Sequence, residues 1–256
     1  TPPCGTVSID NGATYTRDVT TTLVLSTTET VGLPLQMQFS DDGVNYTALE
    51  AFAFGKQWSL PPGDGEKTVY VLYRNAAGLI SEPITDTIIL DGTAPTADIL
   101  IENDADFATA VTVTLNLSST DATSPPVTMQ FSNDGKVFTD PEPFAATKTW
   151  TLLPGDGNKT VFVTYSDQAG NPSADFDAIT LDTTAPGGTV SIDNGATYTR
   201  DVTVTLVLST TETVGLPLQM QFSDDGVTYT DLEAFAFGKP WVLPGVPNPG
   251  DGEKTV

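Results

Sequence analysis

The chain sets 33 Asp and Glu against 10 Lys and Arg over 256 residues, for a net charge of -23, with no histidine, one cysteine, 22 glycines and 19 prolines. Without imidazole there is no Ser-His-Asp or Cys-His relay and no zinc or haem site that needs one. The excess negative charge repels nucleic-acid phosphates and anionic membrane surfaces and leaves cations as the natural counter-species.

The length fits two or three domains, and a hydrophobic fraction of 39% is compatible with folded ones. No apolar run approaches the roughly 18 residues of a membrane span. Cys4, the only cysteine, has no internal disulfide partner. The chain opens on Thr1-Pro2-Pro3 rather than a signal peptide, so the expectation is a processed chain or an excerpt.

Alternation with period two, the mark of half-buried strands, begins at Thr6–Ile9. It returns in Leu35-Gln36-Met37-Gln38-Phe39, before the hairpin signal Asp41-Asp42-Gly43. Further strands are expected at Tyr46–Glu50 and Lys56–Leu60, followed by the turn Pro61-Pro62-Gly63-Asp64-Gly65. Val69-Tyr70-Val71-Leu72-Tyr73 comes next, then the turn Asn75-Ala76-Ala77-Gly78 and a short run ending at Ile88 and Leu90. Val111–Leu117 alternates without a fault and places Val111, Val113, Leu115 and Leu117 on a core face. About seven strands in about 90 residues, with no sustained helical period, predict an all-β fold of immunoglobulin-like sandwiches arranged end to end. The abundant threonines suit the outward positions of such sheets.

Self-similarity organises the chain. Gly5–Pro61 matches Gly188–Pro244 at an offset of 183, with five differences: Thr21/Val204, Asn45/Thr228, Ala48/Asp231, Gln57/Pro240 and Ser59/Val242. Between them lies a more divergent copy, in which Met129-Gln130-Phe131-Ser132, Trp150 and Gly155-Asp156-Gly157 answer Met37-Gln38-Phe39-Ser40, Trp58 and Gly63-Asp64-Gly65 at an offset of 92. The expected units are 1–91, 92–182 and 183–256. They meet at Leu90-Asp91-Gly92-Thr93-Ala94-Pro95 and Leu181-Asp182-Thr183-Thr184-Ala185-Pro186. Linkers this short, with proline fixing φ, predict limited bending and a rod-like molecule.

Phe131-Ser132-Asn133-Asp134-Gly135, Gly155–Val161, Tyr165–Asn171 and the LDTTAP linker resemble the bacterial immunoglobulin-like, or fibronectin-type-III-like, tandem repeats of large secreted and cell-surface proteins. The resemblance covers the whole chain and specifies the module far more than its role. It implies an extracellular or cell-surface location and a structural, adhesin-like function, with neighbouring repeats or other copies of the chain as partners. Where the middle copy has Asp167 and Asn171, the first has Asn75 and Leu79. If that turn held a cation, the first copy would be the weaker site.

The third copy reaches Val256, which corresponds to Val69, so about 22 residues matching Tyr70–Asp91 have no counterpart. Such a unit is expected to expose Leu206, Leu208, Met220, Phe222 and Trp241 and to leave strand edges unpaired. Two explanations follow: a longer array of which this is part, or strands donated by another subunit, which would build a filament. Gly245-Val246-Pro247-Asn248 is an insertion expected to lengthen the loop before Gly250-Asp251-Gly252.

Calcium is the first candidate ligand, because hard cations take several oxygens. Asp91 and Asp182 at the junctions are its candidate ligands, with Asp98, Glu102, Asp104, Asp106 or Asp193 from the adjoining copy and Asp167 from its turn. The competing reading makes Asp42-Gly43, Asp134-Gly135 and Asp225-Gly226 hairpin chemistry and the remaining acids solubilising surface. Trp58, Trp150 and Trp241, with Tyr46, Phe52 and Phe54, offer stacking platforms for a glycan, as in an accessory module of a secreted enzyme. A tryptophan at one fixed place in every sandwich is more often core. Catalysis has the least support, since neighbouring acids such as Asp41-Asp42 cannot take the opposed geometry of a glycosidase pair. Asn45-Tyr46-Thr47, Asn116-Leu117-Ser118 and Asn158-Lys159-Thr160 match the N-glycosylation triplet, which arises often by chance in a threonine-rich chain. The sequence reads as a non-catalytic extracellular stalk.

Overall fold

The computed structural model describes residues 1–30, 33 and 35–244, and among them every regular element is a strand. The insertion at Gly245–Asn248 and the Gly250-Asp251-Gly252 turn lie outside the described residues. The chain divides into two compact units. One is Thr1–Leu100, Thr114–Lys148 and Thr160–Asp177; the other is Ile101–Val113, Thr149–Lys159 and Ala178–Val256.

The first repeat contributes β1 (Gly5–Ile9), β2 (Tyr15–Thr16), β3 (Thr20–Thr27), β4 (Gln36–Ser40), β5 (Glu50–Ala51), β6 (Gly55–Ser59), β7 (Gly65–Arg74) and β8 (Ile84–Leu90). They form one sheet in the order β1-β3-β6 and another in the order β2-β8-β7-β4-β5. Alternate residues of both sheets turn inward. Ile9, Leu23, Leu25, Met37, Phe39, Val69, Val71, Tyr73, Ile88 and Leu90 make one buried cluster, as period-two patterning requires. The Tyr73 hydroxyl leaves this core at its rim and donates to the Thr6 carbonyl at 2.9 Å, which ties β7 to the facing sheet. Burial pushes the Tyr73 phenol up to about 12.

One expected strand is replaced by a loop. Of Tyr46–Glu50 only Glu50 is extended, in β5, because Thr47 already closes a single rung on Phe39. The Thr47 N–H donates to the Phe39 carbonyl at 2.8 Å, and Thr47 Oγ1 accepts the Phe39 N–H at 3.0 Å. Lys56 on β6 reaches Glu50 on β5 at 2.8 Å and so links the two sheets at their edges. The contact recurs as Lys148–Glu142 and Lys239–Glu233.

The second repeat runs through the same order: β9 (Asp98–Ile101), β10 (Phe107–Ala108), β11 (Thr112–Ser118), β12 (Pro126–Ser132), β13 (Glu142–Pro143), β14 (Thr147–Thr151), β15 (Gly157–Asp167) and β16 (Pro172–Leu181). β12 pairs antiparallel with β15 and β13, and β10 runs parallel to β16. The third contributes β17 (Gly188–Ile192), β18 (Thr203–Thr210), β19 (Gln219–Met220), β20 (Glu233–Ala234) and β21 (Gly238–Val242). These form a sheet in the order β17-β18-β21 and a two-stranded β19-β20 pair. Its exposure differs from expectation. Leu206 and Phe222 are buried with Val204 and Leu243, because the two sheets still close on each other at that end; Leu208, Met220 and Trp241 are half-buried. Val190 and Tyr198 are among the residues left exposed.

One internal difference between near-identical repeats isolates a destabilising feature. Thr21 is buried on β3, and its hydroxyl has no hydrogen-bond partner, whereas the third repeat carries Val204 at the same place. A buried hydroxyl without a partner loses its hydration for no return. Thr21→Val is isosteric and is expected to stabilise the first repeat by about 1 kcal/mol. Urea unfolding checks this through a higher midpoint at unchanged slope.

Candidate junction site

β8 ends at Leu90, and the next residue, Asp91, is fully buried where the chain leaves the first repeat. Its N–H donates to the Thr16 carbonyl at 2.8 Å, which continues the β2–β8 pairing by one step. Its carboxylate accepts the Thr93 N–H at 3.1 Å and the Ser124 hydroxyl, and its carbonyl accepts Asn171 Nδ2 at 2.8 Å. Asp167, 3% exposed at the end of β15, accepts the Asn171 N–H at 2.8 Å and Asn171 Nδ2 at 2.9 Å. Asn171 thus holds the turn after β15 closed and fastens it to the end of the first repeat.

Asp121 completes the group. It sits in the loop between β11 and β12, where its Oδ1 accepts the N–H groups of Thr123 and Ser124 at 2.7 and 2.9 Å. One carboxylate oxygen from each of Asp91, Asp121 and Asp167 lies within 4.8 Å of the others. Among the described ion pairs none involves these three carboxylates. Three like charges so close repel one another strongly, more so with two of them buried, unless a cation intervenes. Their hard oxygens are the ligand type of calcium or magnesium, not of a softer metal.

Of the acids singled out in the sequence, the fold brings together Asp91 and Asp167. Asp98 lies on β9 and accepts the Ser118 hydroxyl at 3.1 Å, while its carbonyl accepts the Tyr165 hydroxyl. Glu102 and Asp104 form a left-handed turn with Asn103. Asp193 caps its own hairpin by accepting the Thr205 N–H at 2.8 Å. Asp182 holds the position of Asp91 at the next junction, and a Cβ added to Gly215 would collide with its Oδ2. Gly215 is the counterpart of Ser124, and Glu212 that of Asp121. The one signal for Asp121 was this recurrence of an acid, as Glu29, Asp121 and Glu212, in a loop otherwise made of turn residues.

The Gly-Asp-Gly turns hold a second feature of the junctions. Asp64 accepts the Gly92 N–H at 2.9 Å and the Thr93 hydroxyl, and these bonds hold its carboxyl below the usual range. Asp156 does the same for the following linker, through the Thr184 hydroxyl at 2.6 Å, the Thr183 N–H at 2.8 Å and the Thr183 hydroxyl at 2.7 Å. Across the first junction, Arg17 Nη1 also donates to the Gly170 carbonyl at 3.0 Å.

The hairpin acids behave as turn chemistry. Asp134 is held at about 2 by the Val137 and Lys136 N–H groups and the Ser132 hydroxyl, and Asp225 at about 2 by Thr228, Val227 and Ser223. Asp42 is lowered likewise, chiefly by Asn45. Trp58 and Trp241 donate their indole N–H to Asp41 and Asp224 at 2.8 and 2.9 Å and tilt against Phe39 and Phe222 with ring centres 5.4 Å apart. Phe52 packs under Phe54 and Tyr73, leaving Phe54 exposed.

No family model and no curated protein matches the chain. Among solved structures it is similar to the fibronectin(III)-like modules of Clostridium thermocellum CbhA, with 13% identity over 68% of this chain and 92% of that one and a TM-score of 0.44. A 1.5-MDa bacterial ice-binding adhesin gives 21% identity, 83% and 77% coverage and a TM-score of 0.42. A tetra-tandem repeat from the extending region of a large adhesion protein gives 18%, 93% and 65%, and 0.31.

The depressed aspartates set a pH dependence. Their carboxylates contribute stability that is present above the ordinary value of 3.8 and is lost as pH falls through the folded value of about 2. Melting midpoints are expected to hold down to pH ~4 and to fall steadily from there to pH ~2. Asp134→Asn should flatten that fall; an unchanged profile would remove the turn as its source.

Proposed function

We propose that the chain is a non-catalytic structural repeat region, a stalk segment, of an extracellular adhesin-like bacterial surface protein, with units at 1–91, 92–182 and 183–256. The observation that carries this reading is the fastening of both linkers. Gly92-Thr93 and Thr183-Thr184 are not free tether but are hydrogen-bonded to Asp64 and Asp156 of the preceding turn. A linker meant only to connect gains nothing from such bonds, whereas one that must limit bending does. The acidic surface, repeated with each copy, keeps neighbouring stalks apart by mutual repulsion.

Calcium fits the same role. Bound between Asp91, Asp121 and Asp167, a hard divalent cation would relieve their repulsion and join the end of the first repeat to two loops of the second. Asp182 and Glu212 are the matching acids of the next junction.

Single-molecule pulling tests both statements. A stalk of sandwiches is expected to extend in separate unfolding steps of about 30 nm each, from roughly 90 residues at about 3.5 Å apiece. Calcium should raise the unfolding force relative to chelator, and Asp91→Asn combined with Asp167→Asn should abolish the difference. Smooth extension at low force would overturn the stalk; equal forces with and without calcium would overturn the cation and leave the stalk standing.

A further inference from the structure

The outer face of the β7 sheet in the first repeat carries a small hollow whose lining the second repeat does not reproduce. Leu72 and Arg74 point outward on β7, because the residues alternating with them, Val71 and Tyr73, are buried. Across the ladder Leu72 faces Gln38 on β4, and Arg74 faces Gln36. After β7 the chain turns at Asn75–Gly78 and comes back to bridge Arg74 through Ile80. Leu49, just before β5, closes the other side. The result is a hollow of about 140 Å³ lined by Gln38, Leu49, Leu72, Arg74, Gly78 and Ile80, of which Leu49 and Ile80 are exposed apolar residues. Gln38 and Gly78 recur in the second repeat as Gln130 and Gly170, but Pro141, Thr164, Ser166 and Pro172 stand where the first has Leu49, Leu72, Arg74 and Ile80. Pro172 is exposed although a repeat precedes it, so an adjoining repeat does not cover this place.

Among the described residues, two polar side chains in this hollow have no partner. The Arg74 guanidinium makes neither a hydrogen bond nor an ion pair, although the chain has 33 acids to 10 bases and Lys56, Lys148 and Lys239 each hold a glutamate. Gly78 leaves it uncovered, since a Cβ there would stand 3.6 Å from Nη2. Gln130 in the second repeat donates its amide to the Thr139 carbonyl at 2.8 Å, whereas Gln38 makes no such bond to Thr47. We infer that the hollow receives the C-terminal carboxylate of a polypeptide ending in a branched aliphatic residue. The planar fork of a guanidinium meets a carboxylate in two parallel bonds. Leu49, Leu72 and Ile80 cover the aliphatic side chain, and the Gln38 amide, which both donates and accepts, pairs with the last peptide group. A free aliphatic acid would leave that amide unpaired, and a polyanion such as a sulfated glycan would be repelled by the net charge of -23. The hollow is well below the roughly 300–1,000 Å³ of an ordinary ligand pocket, so it holds one end residue rather than a folded surface.

The test titrates the whole chain, followed by nuclear magnetic resonance, with an acetylated alanyl-alanyl-leucine tripeptide, with the same tripeptide amidated at its C-terminus, and with 4-methylpentanoate. Saturable shifts are expected at Gln38, Leu72, Arg74 and Ile80, and none at Gln130, Thr164 and Ser166. The amidated tripeptide should bind at least about tenfold more weakly, because the charge-assisted pair is lost. Arg74→Ser should weaken the tripeptide by at least about tenfold, Arg74→Lys by less, and Leu72→Thr several-fold. The second repeat folds with serine and threonine at the matching places, so Arg74→Ser and Leu72→Thr test the hollow rather than the sandwich. Absence of saturable shifts, equal binding of the amidated tripeptide, binding unmoved by Arg74→Ser, or binding of 4-methylpentanoate as tight as that of the tripeptide overturns the inference.

Discussion

Everything in these repeats depends on two apolar sheet faces covering each other, and β7 is the strand that closes them. Its inward residues Val69, Val71 and Tyr73 are fully buried, it hydrogen-bonds β4 and β8 on either side, and its tyrosine reaches across to β1. Removing exposed apolar area from water drives folding in proportion to the area covered, so a strand inward on every second residue and flanked on both edges contributes more than any edge strand can. The third repeat has the same β1- and β3-type strands and the same Met and Phe on its β4-type segment, yet Val190, Leu208 and Met220 stay partly open.

The junction obeys a different rule. Burying a carboxylate costs free energy unless hydrogen bonds or a counter-charge replace its water. Asp91 and Asp167 are buried with several donors each, and Asn171 serves both of them at once. One asparagine therefore couples the turn after β15 to the end of β8, and the first repeat, with Leu79 in that place, has no equivalent side chain. Asp64 and Asp156 meet a milder version of the same demand at the surface. There water screens the charge, and the bonds serve to fix the linker backbone rather than to add much stability. A chain that places acids at the same point of each junction, first in the turn and again at the strand end, keeps those junctions ordered while remaining strongly acidic overall.

How far the sequence revealed this differs by feature. Period-two patterning located β1, β4, β6 and β11 within a residue or two and the C-terminal half of β7, because a half-buried strand cannot keep its apolar residues on one face any other way. The same signal misled at Tyr46–Glu50, where alternation reflects a loop pinned by Thr47 rather than a ladder, and it was silent on the two-residue strands β2 and β5, too short to have a period. At the junction, Asp91 and Asp167 were legible because each stands at a strand end beside turn residues. Asp121 was not, since its loop comes next to them only through the packing of the second repeat against the first strand exit. Asp64 and Asp156 were read as turn formers and are also linker clamps; a Gly-Asp-Gly turn looks the same whether its carboxylate faces solvent or a neighbouring backbone.

The central claim is that the acid of each Gly-Asp-Gly turn fixes the backbone of the linker that follows. Amide hydrogen exchange reads this directly, since the Gly92 and Thr183 N–H groups donate to Asp64 and Asp156. The account predicts that Asp64→Ala speeds exchange at Gly92 by at least about tenfold and leaves Thr183 unchanged. Unchanged exchange at Gly92 would contradict it.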